Sequence, residues 1–130
     1  MIRRVTPQRY TLWFYQDNVA VNQTDVALTV LGDAVRVDYP MVRAGSITGI
    51  VVWTSESRTA SSATVTTTLD GTGTTPATVI ATTSAKLNYK TQGRNMVKFT
   101  AGQRIGVDIT TTGTWAPITA DFIVGVEVEY

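Results

Sequence analysis

Short segments in which apolar and polar residues alternate recur along this chain, and they strongly limit its choice of fold. The last segment is the clearest. Its apolar residues Phe122, Val124, Val126, Val128 and Tyr130 share one face, and isoleucine, glycine and glutamate occupy the other. Alternation with a period of two is typical of a β-strand that buries one face. The pattern therefore predicts a chain built from strands.

The side chains themselves favour the same structure. The sequence contains 24 threonine, 17 valine and 8 isoleucine residues among its 130. These β-branched side chains lose conformational freedom in helices but pack well on the pleated surface of a sheet. Good helix formers are few by comparison, with three lysine, three glutamate and three methionine residues. An all-β fold class follows.

The patterned segments predict about eight short strands with no helix between them. They are residues 10–16, 26–30, 35–39, 47–54, 61–69, 96–99, 104–111 and 122–130, with weaker candidates at 78–82 and 87–89. In the third segment, Val35, Val37 and Tyr39 are expected to point inward. The nearly continuous apolar run at 47–54 predicts a central strand covered on both faces. Asp70-Gly71 predicts a hairpin turn, and strands of this spacing predict a jelly-roll β-sandwich.

The N-terminal end differs from the rest of the chain in charge. Residues 1–9 contain Arg3, Arg4 and Arg9 and no acidic residue, which gives them a charge of +3. The remaining 121 residues therefore carry −2, because the net charge of the chain is +1. We divide the chain into an N-terminal arm, 1–9, and one β-sandwich domain, 10–130. The arm is either a frayed terminus or a segment that docks on an acidic surface.

The first predicted strand is apolar on both faces. Alternation places Tyr10, Leu12 and Phe14 on one face and Trp13 and Tyr15 on the other. A strand with one face in water would carry polar residues on that face. Trp13 and Tyr15 therefore lie either in the core of the domain or at an interface with a neighbouring subunit.

The composition excludes or disfavours several classes of function. The chain has no cysteine and no histidine, so it has no disulfide, no thiol nucleophile, no histidine-dependent triad and no ordinary zinc site. Its ten acidic residues lack the spacing of a calcium loop, and most of them fall in turns or on outer strand faces. A net charge of +1 disfavours nucleic acid, and no apolar run is long enough to span a membrane. We expect no enzyme activity, no cofactor and no metal.

Two stretches of the sequence resemble known proteins. Residues 44–72 begin Ala-Gly-Ser-Ile-Thr-Gly-Ile-Val-Val-Trp, and residues 99–130 begin Phe-Thr-Ala-Gly-Gln-Arg-Ile-Gly-Val and end on the alternating strand. Both stretches resemble small virion proteins of tailed bacteriophages, whose jelly rolls are similar to the trimeric tumour-necrosis-factor and C1q domains. That group often has aspartate in the turn before a late strand, where this chain has Gln103.

The resemblance implies a capsid decoration (cement) protein. Such a protein is a homotrimer on the outer surface of the virion capsid, where it binds the major capsid protein and stabilises the shell. Under this hypothesis we assign the basic Arg3, Arg4 and Arg9 to contact with an acidic capsid or neighbouring-subunit surface. Trp13 and Tyr15 are assigned to a subunit interface, where aromatic residues are over-represented. The alternative is a carbohydrate- or host-receptor-binding module of a tail fibre. There Trp115, in a loop that reads as exposed, would stack on a glycan.

Overall fold

The chain folds into two antiparallel sheets. The structure, a computed structural model, describes residues 8–74, 79–81 and 85–130. Within these residues there are twelve strands and no helix. The strands are β1 (Arg9–Gln16), β2 (Val26–Ala27), β3 (Thr29–Val30), β4 (Asp38–Pro40), β5 (Gly45–Thr54), β6 (Thr64–Leu69), β7 (Thr72–Gly73), β8 (Val79–Ala81), β9 (Leu87–Thr91), β10 (Val97–Phe99), β11 (Arg104–Thr110) and β12 (Phe122–Glu129).

The two sheets have separate sets of strands. The first sheet has the order β10-β5-β12-β1-β3, and β9 also pairs with β5. The second sheet has the order β2-β11-β6-β7, with β4 also paired to β11 and β8 to β6. Their facing sides share one hydrophobic core. The predicted all-β sandwich is therefore confirmed.

Strict alternation on the long strands builds this core. Phe122 and Val124 of β12 are fully buried, and so are Ile105 and Val107 of β11 on the opposite sheet. Burying one such side chain contributes about 1.5–3 kcal/mol relative to leaving it in water. Because every second residue of these strands is apolar, a shift in register by one residue would expose the whole set. The alternation thus sets which face of each strand points inward.

The predicted hairpin turn is confirmed. Strands β6 and β7 pair with Leu69 opposite Thr72, which leaves Asp70 and Gly71 as the two turn residues. Both have positive φ angles, 52° for Asp70 and 83° for Gly71. Two-residue hairpins favour this left-handed geometry, which aspartate and glycine tolerate best. The Asp70 carboxylate also accepts a hydrogen bond from the backbone N–H of Arg104 at 3.0 Å.

The predicted strand at 35–39 is mostly a loop, and the prediction that Val35 and Val37 point inward is wrong. Val35 is 86% exposed, and Val37 is also exposed. The Asp33 carboxylate accepts hydrogen bonds from the backbone N–H groups of Val35 and Arg36 at 2.9 and 3.1 Å. An aspartate that binds its own neighbouring backbone in this way favours a turn over an extended strand. The strand begins only at Asp38.

Arg9 belongs to the sandwich and not to the arm. It is the first residue of β1 and lies opposite Glu129 of β12. Its Nε donates to Glu129 Oε2 at 3.0 Å, and Arg94 Nε lies 3.5 Å from Glu129 Oε1. The two arginines cover the carboxylate, so Glu129 is buried although its strand position faces outward. Arg3 and Arg4 lie outside the described residues.

Candidate functional site

The outer face of the first sheet carries apolar residues in two adjacent rows. In one row Trp13 of β1 lies opposite Gly125 of β12, Gly125 lies opposite Val51 of β5, and Val51 lies opposite Tyr89 of β9. The neighbouring row contains Tyr15, Ile123, Trp53 and Leu87 on the same four strands. We call these eight residues the aromatic face.

Much of the aromatic face is open to solvent. Trp13 is 40% exposed, Trp53 42%, Leu87 54% and Tyr89 72%. Single exposed apolar residues are normal on protein surfaces, but a contiguous group of them usually marks a site of interaction. An aromatic side chain has about 150–250 Å² of surface, so the two tryptophans and Tyr89 together expose roughly 230–390 Å². The face is therefore comparable in size with the functional apolar patches of monomeric proteins.

Gly125 provides the floor on which Trp13 lies. A Cβ atom at position 125 would lie 2.8 Å from Trp13 Cζ3 and 2.9 Å from both Thr11 Cγ2 and Val51 Cγ1. These distances are shorter than carbon atoms normally approach. Glycine inside a strand often marks such a close approach by a neighbouring group. The indole ring of Trp13 thus lies across β12, and the glycine makes this position possible.

Two carboxyl groups lie at one end of the aromatic face. Asp17 directly follows β1, and Asp121 directly precedes β12. A hydrogen bond between the two carboxyl groups raises the pKa of Asp17, and desolvation and charge repulsion add to the rise. The same hydrogen bond lowers the pKa of Asp121. Desolvation and the nearby carboxylates also raise the pKa of Tyr15. The pair therefore keeps a proton on Asp17 more readily than an isolated aspartate would.

We expect Asp17→Asn to stabilise the protein at neutral pH. A raised pKa in the folded state favours folding below about pH 3.9, the ordinary aspartate value, and this contribution is lost as the pH rises through the folded-state pKa. At pH 7 both carboxylates are charged and repel each other, whereas an asparagine amide still donates to Asp121. Thermal unfolding at a series of pH values should show a higher Tm for the variant at neutral pH. The difference should shrink as the pH falls below about 4.

Asp33→Asn is the matched control, and its effect should have the opposite sign. Hydrogen bonds from the backbone N–H groups of Val35 and Arg36 lower the pKa of Asp33. A lowered pKa contributes stability above the ordinary aspartate value, and that stability is lost as the pH falls through the folded-state pKa. The control should therefore lower Tm at neutral pH and have little effect in acid. A rise in Tm at neutral pH for both variants would contradict our account of Asp17.

The edge strand beside the aromatic face carries exposed lysines. Lys90 lies within β9, and Lys86 directly precedes that strand. Lys90 lies opposite Ile50, whose side chain is in the core, so alternation directs Lys90 away from the aromatic face. The acidic pair is therefore the charged group that we assign to the border of the face.

The structure places the two aromatic residues predicted for an interface on this face. Trp13 is exposed and Tyr15 is partly buried, so neither is a core residue of the single chain. The prediction that β5 is covered on both faces holds along most of the strand, and Trp53 is its one exposed residue. Sequence reasoning missed Trp53, Leu87 and Tyr89 as members of the same surface. Only strand register, which a single sequence does not specify, brings them beside Trp13.

The predicted exposure of Trp115 is wrong. Trp115 is only 2% exposed, and its ring packs edge-on against Phe122 with 5.7 Å between ring centroids. Its indole Nε1–H donates to the backbone carbonyl of Val19 at 2.9 Å. A buried ring has no free surface on which a sugar could stack. Trp115 is therefore a core residue, and the glycan-binding alternative loses the residue on which it depended.

The described residues contain no further site with catalytic or metal-binding chemistry that we can identify. No group of three or more acidic side chains converges among residues 8–74, 79–81 and 85–130. In the same part of the chain, no helix is long and apolar enough to cross a membrane. The aromatic face is thus the clearest candidate surface.

Comparisons with known proteins give one informative result. No protein-family model and no curated protein matches the chain. Among solved structures, the fold is similar to a chain of the acidic stable capsid structure of Helicobacter pylori bacteriophage KHP30, with a TM-score of 0.54 and 9% sequence identity. The similarity covers 96% of this chain and 94% of that chain. At this identity the likeness establishes the fold: the complete β-sandwich is shared with a phage capsid protein.

Proposed function

We propose that this protein is a structural virion protein that binds the outer surface of a phage capsid and stabilises it as a homotrimer. The observation that carries the proposal is the likeness in fold, along almost the whole length of both chains, to a chain of a phage capsid. The sequence resemblance to small virion proteins supports the same role. The exposed aromatic face supports a role that depends on contact between proteins.

Stabilisation by such a protein needs no chemistry beyond binding. A protein that binds the assembled shell and not its dissociated subunits shifts the equilibrium towards the shell by mass action. Three linked copies bind much more tightly than one, because the first contact raises the effective concentration of the other two. A trimer with three modest contacts can therefore hold neighbouring capsid subunits together.

The aromatic face, with Trp13 and Tyr15, is the surface that we assign to contact between copies. A standard interface buries about 800 Å² on each partner and has aromatic side chains at its centre and a polar rim. The aromatic face has the composition of such a centre, and the charged residues beside it match such a rim. Asp17 and Asp121 border the face where β1 ends and β12 begins. We also assign Trp53, Leu87 and Tyr89 to this contact between copies.

The basic arm is the part that we assign to the capsid. Arg3 and Arg4 precede the described residues and have no acidic neighbour within the arm. Arg9 stays part of this assignment, because Glu129 binds its Nε but the side chain is still 63% exposed. A short cationic segment suits an acidic capsid surface, because complementary charges favour the encounter.

Capsid binding is tested directly by co-sedimentation with shells of the phage that encodes this chain. We expect saturable binding of the full chain and a higher temperature of shell disruption in its presence. Removal of residues 1–7 should weaken binding while the circular dichroism spectrum and Tm stay unchanged. A variant with Lys98, a strand residue outside the arm, changed to alanine is the control for loss of a cationic side chain elsewhere and should bind normally. Failure of the full chain to sediment with shells at micromolar concentration would refute the proposed function.

A further inference from the structure

A second surface lies at the start of β1, away from the aromatic face. Tyr10 and Leu12 of β1, Tyr130 at the end of β12, and Val42 and Arg43 of the β4–β5 loop line an open groove of about 810 Å³. Tyr10 and Val42 are exposed, although both are apolar. The groove continues the inner side of the first sheet beyond the point where the second sheet covers it. Leu12 and Tyr130 pack against the core, and Tyr10 and Val42 extend the apolar wall into solvent.

The groove runs beside an open edge of the first sheet. The backbone N–H of Tyr130 donates to the carbonyl of Gln8 at 3.0 Å, so even-numbered residues of β1 direct their backbone groups towards β12. The carbonyl of Trp13 instead accepts from Leu31 at 3.0 Å on the opposite side. Strand β3 pairs only with Phe14 and Tyr15, so it ends before it reaches the first half of β1.

Within the described residues, this arrangement leaves four backbone groups without a protein partner. The N–H and C=O groups of Arg9 and Thr11 point towards the open edge, because they follow the odd-numbered pattern of Trp13. Neither residue has a backbone partner on that side within residues 8–74, 79–81 and 85–130. Unpaired backbone groups on an edge strand are a template for another extended chain.

The charge around the groove is positive. Arg9 and Arg94 share the carboxylate of Glu129 on the outer face of β12, where Glu127 is a further acidic neighbour, so this cluster adds no net charge. Arg43 lines the groove and forms no ion pair with any carboxylate in the described part of the chain. None of the other residues that line the groove has a charged side chain. An anionic partner is therefore favoured.

We propose that this groove binds an extended segment of a partner protein that carries apolar and acidic side chains and adds a strand to β1. Backbone hydrogen bonds to Arg9 and Thr11 would hold the segment, as in other cases of strand addition. Its apolar side chains would enter the groove between Tyr10 and Val42, and its carboxylates would face the arginines. The arm of a second copy does not suit this site, because Arg3 and Arg4 would repel the same charges.

Two synthetic peptides test the proposal without any capsid, so its failure is distinguishable from failure of the proposed function. The probe is acetyl-Val-Glu-Val-Glu-Val-Glu-Val-amide, and the control replaces each glutamate by lysine. Titration into ¹⁵N-labelled protein should shift the amide signals of Arg9 and Thr11 and slow their hydrogen exchange. The lysine peptide should bind about tenfold more weakly or not at all, since close like charges oppose binding. Equal binding of both peptides, or shifts elsewhere on the surface only, would overturn the proposal.

Two variants locate the site. Thr11→Pro removes the N–H that faces the open edge, and proline is tolerated on an edge strand when its nitrogen faces solvent. It should abolish binding of the glutamate peptide, while Thr11→Val, which keeps the N–H, should bind normally. Arg43→Glu changes only a loop side chain and keeps the test valid if the proline variant does not fold. It should reverse the preference towards the lysine peptide, and an unchanged preference would contradict the proposal.

Discussion

Replacement of Trp115 by alanine is expected to lower the free energy of unfolding by about 3–5 kcal/mol, the range for removing a large aromatic side chain from a core. The ring is buried against Phe122, and its Nε1–H donates to the carbonyl of Val19. Alanine would leave a cavity and deprive that carbonyl of its partner. Because total stabilities of domains are about 5–15 kcal/mol, this single change could unfold a large part of the population at 37 °C.

Urea unfolding followed by far-ultraviolet circular dichroism measures this loss. Trp115→Phe is the informative second variant, because it keeps an aromatic ring but removes the hydrogen bond to Val19. It should cost clearly less than alanine. Trp53→Phe is a matched surface control with little expected effect on stability. A Trp115→Ala protein as stable as the parent would mean that the ring is not part of the core in solution.

Trp115 also shows where sequence reasoning ended. The residue stands in the segment Thr112-Gly113-Thr114-Trp115-Ala116-Pro117, whose composition is that of a loop. The segment is indeed outside the strands. The side chain nevertheless turns inward, because its indole N–H finds the carbonyl of Val19, which is 96 residues away in sequence. Loop composition predicts the path of the backbone, but it does not predict where one large side chain finds a hydrogen-bond partner.

The strands were predictable where one face is fully buried. Alternation in β11 and β12 placed Ile105, Val107, Phe122 and Val124 inward, and all four are buried. The same alternation wrongly predicted that Val35 and Val37 point inward. Alternation assigns side chains to opposite faces only when the backbone is an extended strand. Asp33 closes a turn there with two backbone hydrogen bonds, and this local interaction outweighs the apolar pattern.

The aromatic face was predictable only in its first strand. The sequence pattern shows that Trp13 and Tyr15 lie on the face of β1 opposite Phe14. It contains no signal that β5 and β9 would place Trp53, Leu87 and Tyr89 in the same two rows, because these positions depend on the register of strands far apart in sequence. Gly125 was a weak local signal, since glycine within the cleanest strand marks the place where the Trp13 ring crosses it.

We expect Trp53→Lys to abolish self-association while the fold stays intact. Trp53 lies in the row nearest the acidic pair, and its side chain is 42% exposed, so the change removes no core contact. In an interface, lysine would place an unpaired charge where the parent buries an aromatic ring. Loss of a central aromatic residue commonly costs more than 2 kcal/mol of binding energy, and each 1.4 kcal/mol is a factor of ten. The association constant should therefore fall at least about 30-fold.

Light scattering at several concentrations measures this change. The parent should have about three times the chain mass of 14.1 kDa, and the variant should have the mass of one chain with an unchanged circular dichroism spectrum. Val35→Lys is the matched control, because it adds the same charge at an exposed apolar residue in a loop outside the aromatic face. It should remain a trimer.

If the parent is monomeric at every concentration, or if both lysine variants dissociate equally, the aromatic face is not the contact between copies. Dissociation of Trp53→Lys alone would instead assign that contact to the outer face of the first sheet, because the control carries the same added charge elsewhere on the surface.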